Sequence, residues 1–367
     1  MTRSAQRKRA YRWLGPLLLG IGLVLLGACQ SKPASTDETA PMDDTRSTDD
    51  TSTLNEPDST AGGKNLPYVA PLTGEPTATS PDRRAFMVII ENSPAARPQS
   101  GLNQADVVYE VLVEGGITRF AAFFQSMYPK TVGPVRSIRP YFIQLATGYD
   151  AVMAHAGGSP EALRTIANQG LPSLNGVLGE ADPYFWRSQF RKRPHNLYTD
   201  FDHLNQMSEK KKMRMTGNLP GFRFDDEPLK GGSGASATTI DIRYNADYRV
   251  GFAYDAQTKQ YARSINGQPH TDLESGEVLT ATNVLVIAAK HRVLDNEGRL
   301  AIDLSSGGQG TFFTRGRAVP VSWQNVQGII RAYTEDRAEV AYAPGRTWVE
   351  IVPDVGATVT YQGDASR

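Results

Sequence analysis

VGPVRSIRPYFIQLATGYDAVMAHAGGSPE, residues 132–161, is the stretch whose reading decides the fold. Val132 to Ser137 reads as a strand. Pro140 to Gly148 reads as a helix, with proline in the first turn where its missing N–H costs nothing. Ala151 to Ala156 reads as a strand again. Gly157-Gly158-Ser159-Pro160-Glu161 then opens a second helix, with Ser159 as N-cap and Pro160 at the first helical position. Strand alternating with helix predicts a parallel arrangement, and in such sheets ligands sit beyond the carboxyl ends of the strands. Here that rim carries Arg136, Arg139, His155 and the Gly157, Gly158, Ser159 helix start.

On the N-terminal side of this stretch, Ala85 to Ile90 is a continuous apolar run suited to a buried strand. Val107 to Glu114 and Ile117 to Gln125 are strand-like runs separated by Gly115-Gly116, a hairpin signal. With the two glycines as the loop, Leu112 faces Arg119. Glu110, Glu114 and Arg119 then share one face, with Arg119 in side-chain reach of both acids. Residues 66–229 therefore read as an α/β domain with a partly parallel sheet. A Gly/Ser-rich break, Lys230 to Ser236, precedes residues 236–355, which read as a β-rich domain. Its runs are Ile240–Tyr244, Tyr248–Tyr254, Tyr261–Ile265, Thr282–Ala288 and Trp348–Val352. They predict a twisted antiparallel sheet or a partly closed barrel.

The start of the chain specifies its destination. Arg3, Arg7, Lys8, Arg9 and Arg12 precede an apolar run, Leu14 to Leu26, too short for a comfortable membrane span. It ends in Leu26-Gly27-Ala28-Cys29, the lipobox pattern, in which the thiol takes the diacylglyceryl group. Residues 1–28 read as a signal peptide and Cys29 as the lipidation site, giving an extracytoplasmic protein held to a bacterial membrane. The competing reading is an uncleaved anchor helix with a chance cysteine. Cys29 is the chain's sole cysteine, so the mature protein has no disulfide and no thiolate metal site. The formal charge of zero includes the five signal-peptide cations, and the mature chain carries 34 basic and 39 acidic residues. Residues 30–65 hold eight acids and three bases and almost nothing apolar, the composition of a disordered tether. A coil of that length spans roughly 30–36 Å.

Several groups on the folded part suit an anionic ligand. A helix N-terminus offers free N–H groups and a favourable dipole. Arg136 and Arg139, three apart at a strand-to-helix junction, can clamp a phosphate or carboxylate with fork geometry. Either can instead be tied to Glu110, Glu114 or Asp150 as scaffold. From Arg187 to Arg223 there are nine bases against three acids. Within that segment Phe185, Trp186 and Phe190 interleave with Arg187 and Arg191, and His195-Asn196 follows. Rigid aromatics with multidentate donors on a loop are how sugars and phosphates are gripped. An exported protein rarely meets nucleic acid, so none is expected as a partner. No histidine pairing supports a zinc site, and no Gly-x-Ser-x-Gly elbow, Walker loop or dinucleotide fingerprint occurs. Neither a cofactor nor a catalytic residue is assigned.

Longer motifs carry a family resemblance. Pro71-Leu72-Thr73-Gly74, Ala96 to Leu102, Val113 to Phe120, Gly133 to Pro140, His155 to Pro160 and Pro194 to Tyr198 resemble the YerB-like lipoprotein family. Gly267 to Asp272 and Pro344 to Trp348 look like its C-terminal half. The resemblance spans nearly all of 66–353; it implies a two-domain lipoprotein of unknown function. Arg119 to Gly158 also has some similarity to LytR–CpsA–Psr envelope transferases, whose arginines hold a polyprenyl pyrophosphate. Pro140 stands where those proteins have Asp, which removes a metal-ligand candidate. Two readings stay open: a binding protein for an anionic envelope glycan or lipid-linked phosphate, and an envelope phosphoryl or glycosyl-phosphate transferase. A divalent metal belongs to the second alone. A protein-interaction scaffold is the third reading, with no partner protein specified.

Overall fold

The computed structural model describes residues 66–179, 183–217, 219–229 and 233–363. Cys29, the signal peptide and the 30–65 segment lie outside these residues. In chain order the N-terminal part supplies strands β1 (Phe86–Glu91), β2 (Val107–Leu112) and β3 (Thr118–Phe124), then helix α1 (Pro140–Gly148) and strand β4 (Val152–His155). Helix α2 (Pro160–Gln169), strand β5 (Ser173–Asn175) and helix α3 (Phe201–Lys210) complete it. The C-terminal part adds β6 (Ala235–Ser236), β7 (Thr239–Arg243), β8 (Arg249–Asp255), β9 (Gln260–Ile265) and β10 (Asn283–Ala288). It ends with β11 (Gly308–Thr314), β12 (Arg317–Val326), β13 (Ile329–Tyr333), β14 (Thr347–Val352) and β15 (Val359–Gln362).

Among the described residues one sheet runs β6-β12-β11-β10-β14-β2-β3-β1-β4-β5, with β13 alongside β12. It is mixed: β1, β4 and β5 are parallel neighbours, as are β10, β14 and β2. A second sheet, built on β9-β8-β7-β15, packs over one face. There Ile240, Val250, Phe252 and Tyr261 meet Val88, Val108 and Ala122 of the main sheet. On the opposite face Met87, Ile89, Tyr109 and Phe123 pack against Phe142, Leu145 and Tyr149 around α1. The α/β N-terminal part with parallel strands and the β-rich C-terminal part agree with the sequence reading.

Three details differ from it. The main sheet is shared by the two parts, because β14 lies parallel to β2 and joins them, Thr347–Ile351 pairing with Val107–Val111. Both strands are buried along their whole length. A continuous apolar strand needs neighbours at both edges and cover on both faces, and each part alone leaves one of these edges open. Second, Val132 to Ser137 is an extended segment with single bridges to Thr199, Ser100 and Ile90, not a strand of the sheet. Pro134 has no N–H to donate to a ladder. Third, the hairpin loop is longer than two glycines. Glu114–Gly116 form a 3₁₀ turn with Gly115 and Gly116 both at φ +71°, so Leu112 faces Thr118 and Val111 faces Arg119. One residue of register moves Glu110 to the sheet face opposite Arg119.

Candidate functional site

The C-terminal end of β1 gathers the chemistry. Its last residue, Glu91, is 1% exposed although it carries a carboxylate. The extended 132–137 segment threads beside it. Arg136 N–H donates to Ile89 O at 2.8 Å, and Pro134 O accepts from Glu91 N–H at 2.9 Å. On the other side of that segment Val135 N–H donates to Leu197 O at 2.6 Å, which draws in the 185–198 loop. Two distant pieces of chain therefore deliver side chains to one acid. His195 Nδ1 lies 2.8 Å from Glu91 Oε1, and Arg136 Nε lies 3.2 Å from Oε2. Ser93 Oγ donates to Oε1 at 2.9 Å. The side chains of Arg136 and His195 are 24% and 27% exposed, so both reach solvent while holding a buried partner.

Further cations lie within electrostatic range of Arg136. Burial first, then the charges of Arg193 and Arg136, hold the Arg187 guanidinium below its ordinary value. Arg187 makes one side-chain bond, Nη1 to Asn196 Oδ1 at 3.0 Å. Neither Arg187 nor the exposed Arg193 has a carboxylate partner among the described residues. Arg119 lies opposite Glu91 on the neighbouring strand β3. Burial, then the charge of Arg139, brings its pKa down to about 10 despite Glu114.

Other sequence-predicted residues serve the scaffold. Arg139 grips Glu114 through two bonds, 2.5 and 2.7 Å. Burial would raise the Glu114 carboxyl, but the Arg139 bonds and charge outweigh it and hold the carboxyl below its usual range. Arg119 sits 3.9 Å from Glu114 and donates to Ser137 O at 2.7 Å. Glu114 thus contacts both Arg139 and Arg119, whereas Glu110 pairs elsewhere. Arg191 ties its loop to the 96–98 segment through Ala96 O and Pro98 O, and to Tyr198 OH at 2.8 Å. Asn196 is buried and closes the same loop onto Ser188 O and Arg191 O.

His155 and the start of α2 are engaged in internal hydrogen bonds. His155 is fully buried, with Nδ1 2.7 Å from Gly157 O and Nε2 2.7 Å from Ser173 Oγ. Donation from Nδ1 to the carbonyl leaves Nε2 to accept from the serine, so the ring is neutral. Burial lowers its pKa to about 4, against the raising effect of the Gly157 carbonyl. The donors expected to meet an anion are largely used. Gly157 N–H bonds Asn175 Oδ1, Ser159 N–H bonds Ile138 O, and Ser159 Oγ caps Ala162 N–H. Gly158 is held against Ile138, whose Cγ2 a Cβ would meet at 2.9 Å.

Sequence reasoning missed Glu91 and the buried network behind it. Glu110 pairs with Arg263 of β9, and both side chains are 0% exposed. Arg263 donates in turn to His270 Nδ1, and His270 Nε2 bonds Gln99 Oε1 at 2.7 Å. Gln99 Nε2 donates to Glu91 O at 2.9 Å, which connects this network to the rim. Burial first, then the charges of Arg263 and Arg97, keep His270 well below its ordinary pKa. One signal pointed to Glu91: an acid directly after a buried apolar run, at a strand's carboxyl end.

The arrangement limits the chemistry. Ser93 and Glu91 both approach Nδ1 of His195, so serine, histidine and acid do not stand in the order of a hydrolase triad. Among the described residues no three His, Cys, Asp or Glu side chains gather as a metal-ligand set. What remains is a cationic rim with a histidine anchored from below.

Residues 72–214 match the N-terminal domain, and residues 240–349 the C-terminal domain, of the family described as protein of unknown function DUF3048. The chain is 38% identical over 297 residues to "Putative lipoprotein YerB" of Bacillus subtilis (strain 168), covering 80% of this chain and 89% of that relative. The crystal structure of the YerB protein from Bacillus subtilis matches with a TM-score of 0.73 at 37% identity, over 80% of this chain and 99% of that one. With both family domains matched in order and a relative aligned along most of its length, the chain belongs to the YerB-like family, whose two domains have unknown function.

Proposed function

We propose that the protein is an extracytoplasmic lipoprotein, anchored through Cys29, that binds an anionic cell-envelope ligand at the end of β1. The ligand class is a phosphorylated glycan or a lipid-linked phosphate. The anchor rests on the Leu26–Cys29 lipobox and on the relative's description as a lipoprotein. Among the described residues no helix is long and apolar enough to cross a membrane. Cys29→Ser should leave the protein without lipid and shift it from the membrane fraction, or leave its precursor unprocessed. Membrane fractionation and maturation identical to the unchanged protein would remove this half of the proposal.

One observation carries the ligand half. Arg136 and His195 share a single buried carboxylate, Glu91, while Arg187 lies within electrostatic range of Arg136 and Arg193. Crowded guanidinium groups with too few acids are stabilised by an incoming phosphate, which accepts their fork-shaped donors. The full chain in detergent, titrated calorimetrically with inorganic pyrophosphate, provides the test. Arg136→Ala and Arg187→Ala should each weaken binding about tenfold, the effect of one charge-assisted hydrogen bond. Arg214→Ala, whose arginine pairs with Asp150 at the far end of β4, should leave binding unchanged. Undiminished binding in both rim variants would move the site elsewhere.

A further inference from the structure

We infer that Glu91 and His195 form a general-base dyad, and that the rim cleaves a phosphodiester or pyrophosphate bond in addition to holding it. This inference rests on the anion-binding reading above. Glu91 accepts at Nδ1, 2.8 Å away, and so fixes the imidazole as the tautomer with its proton on that nitrogen. Nε2 then carries the lone pair. Among the described residues no group bonds Nε2, and the side chain is partly open to solvent. A buried carboxylate on one ring nitrogen, an unbonded second nitrogen and Arg136 on the same carboxylate is the layout a proton acceptor needs next to a phosphoryl group.

The step balances with water or an acceptor hydroxyl as nucleophile. Its oxygen attacks phosphorus while its proton passes to His195 Nε2. The bond from phosphorus to the leaving oxygen breaks, and that oxygen departs with the electron pair. Arg136 and Arg187 are placed to neutralise the charge on the remaining phosphoryl oxygens. Glu91 is a positioning residue: it acts through the histidine, stabilising the imidazolium that forms. His195 as base must be neutral at the outset, whereas His195 serving only as a cation for the ligand must be charged. The two roles therefore have opposite pH dependence.

The test uses the full chain in detergent with bis(p-nitrophenyl) phosphate, monitored by nitrophenolate release, and with inorganic pyrophosphate for binding. Turnover should exceed the buffer rate. His195→Gln should lower kcat about a hundredfold with KM nearly unchanged. Glu91→Gln should lower kcat without weakening pyrophosphate binding, because it removes a negative charge from beside the anion; a purely structural role would lower both. Pyrophosphate binding without turnover, or equal turnover in His195→Gln, would overturn the dyad and leave the binding reading intact. No pyrophosphate binding by the unchanged protein would overturn both.

Discussion

His155 sits fully buried between a carbonyl and a hydroxyl, and that makes the stability of the fold depend on pH. Its pKa is about 4 in the fold, against an ordinary value of 6.5, so between these values the unfolded chain binds the proton more readily. The stabilisation is full above pH 6.5 and is lost as pH falls toward 4, on the order of 3 kcal/mol over that window. Thermal melts should therefore show a falling Tm from pH 7 to 4.5, with a shallower fall in His155→Gln. His270 and His291 are also lowered by burial, so part of the slope should survive. An identical slope in the variant would refute the assignment. His195, by contrast, has a side chain partly open to solvent. The sequence marked His155 at the end of a strand and His195 in a loop of aromatics and arginines, but burial separates their roles. A sequence places a histidine at a strand end; the pleat and the neighbouring chain determine whether water reaches it.

At the scale of elements, α1 is held by backbone contact rather than by side chains alone. Its last residue, Gly148, lies against Gly328 in the two-residue turn between β12 and β13, where Gln327 and Gly328 both have positive φ. A Cβ on Gly148 would come within 2.2 Å of the Gly328 carbonyl carbon and oxygen. Backbone cannot rotate aside as a long side chain can. Gly148→Ala should cost roughly 2–3 kcal/mol or more, seen as a lower urea midpoint with unchanged slope. Gly170→Ala, at a helix end with nothing within 4 Å, should cost only about 1 kcal/mol. Equal losses in the two variants would count against the close-approach explanation. The ends of α1 and α2 were readable because proline in the first turn and Ser159 as cap act over three or four residues. The hairpin was readable as a hairpin, but its register depended on how Glu114–Gly116 turned.

Across the whole molecule the seam between β2 and β14 makes the two parts interdependent. The Glu110–Arg263 pair lies behind that seam, with Arg263 4.5 Å from the centre of the Trp348 ring and Glu350 close enough to be raised by Glu110. For Glu350, burial is the larger cause and the Glu110 charge the second. Arg263→Met would leave Glu110 buried without its counter-ion, at a cost of about 3–5 kcal/mol. Pairing it with Glu110→Gln should recover much of that loss. Calorimetry of the unchanged protein should show one cooperative transition, because neither part completes the sheet alone. Two separate transitions, one for each part, would contradict the role given to the seam.

Local rules were enough for the sequence to specify the buried run of β1, the helices after residues 139 and 159, the β-rich C-terminal part and the family to which the chain belongs. Each depends on neighbours a few residues apart or on whole motifs. Tertiary structure alone decided that β14 pairs with β2, that Glu110 meets Arg263 instead of Arg119, and that Glu91 joins Arg136 to His195. Those partners are separated by 45 to more than 200 residues. Whether they meet depends on closing long loops and on a strand register in which one step reverses every side chain. No local pattern in the chain encodes that choice.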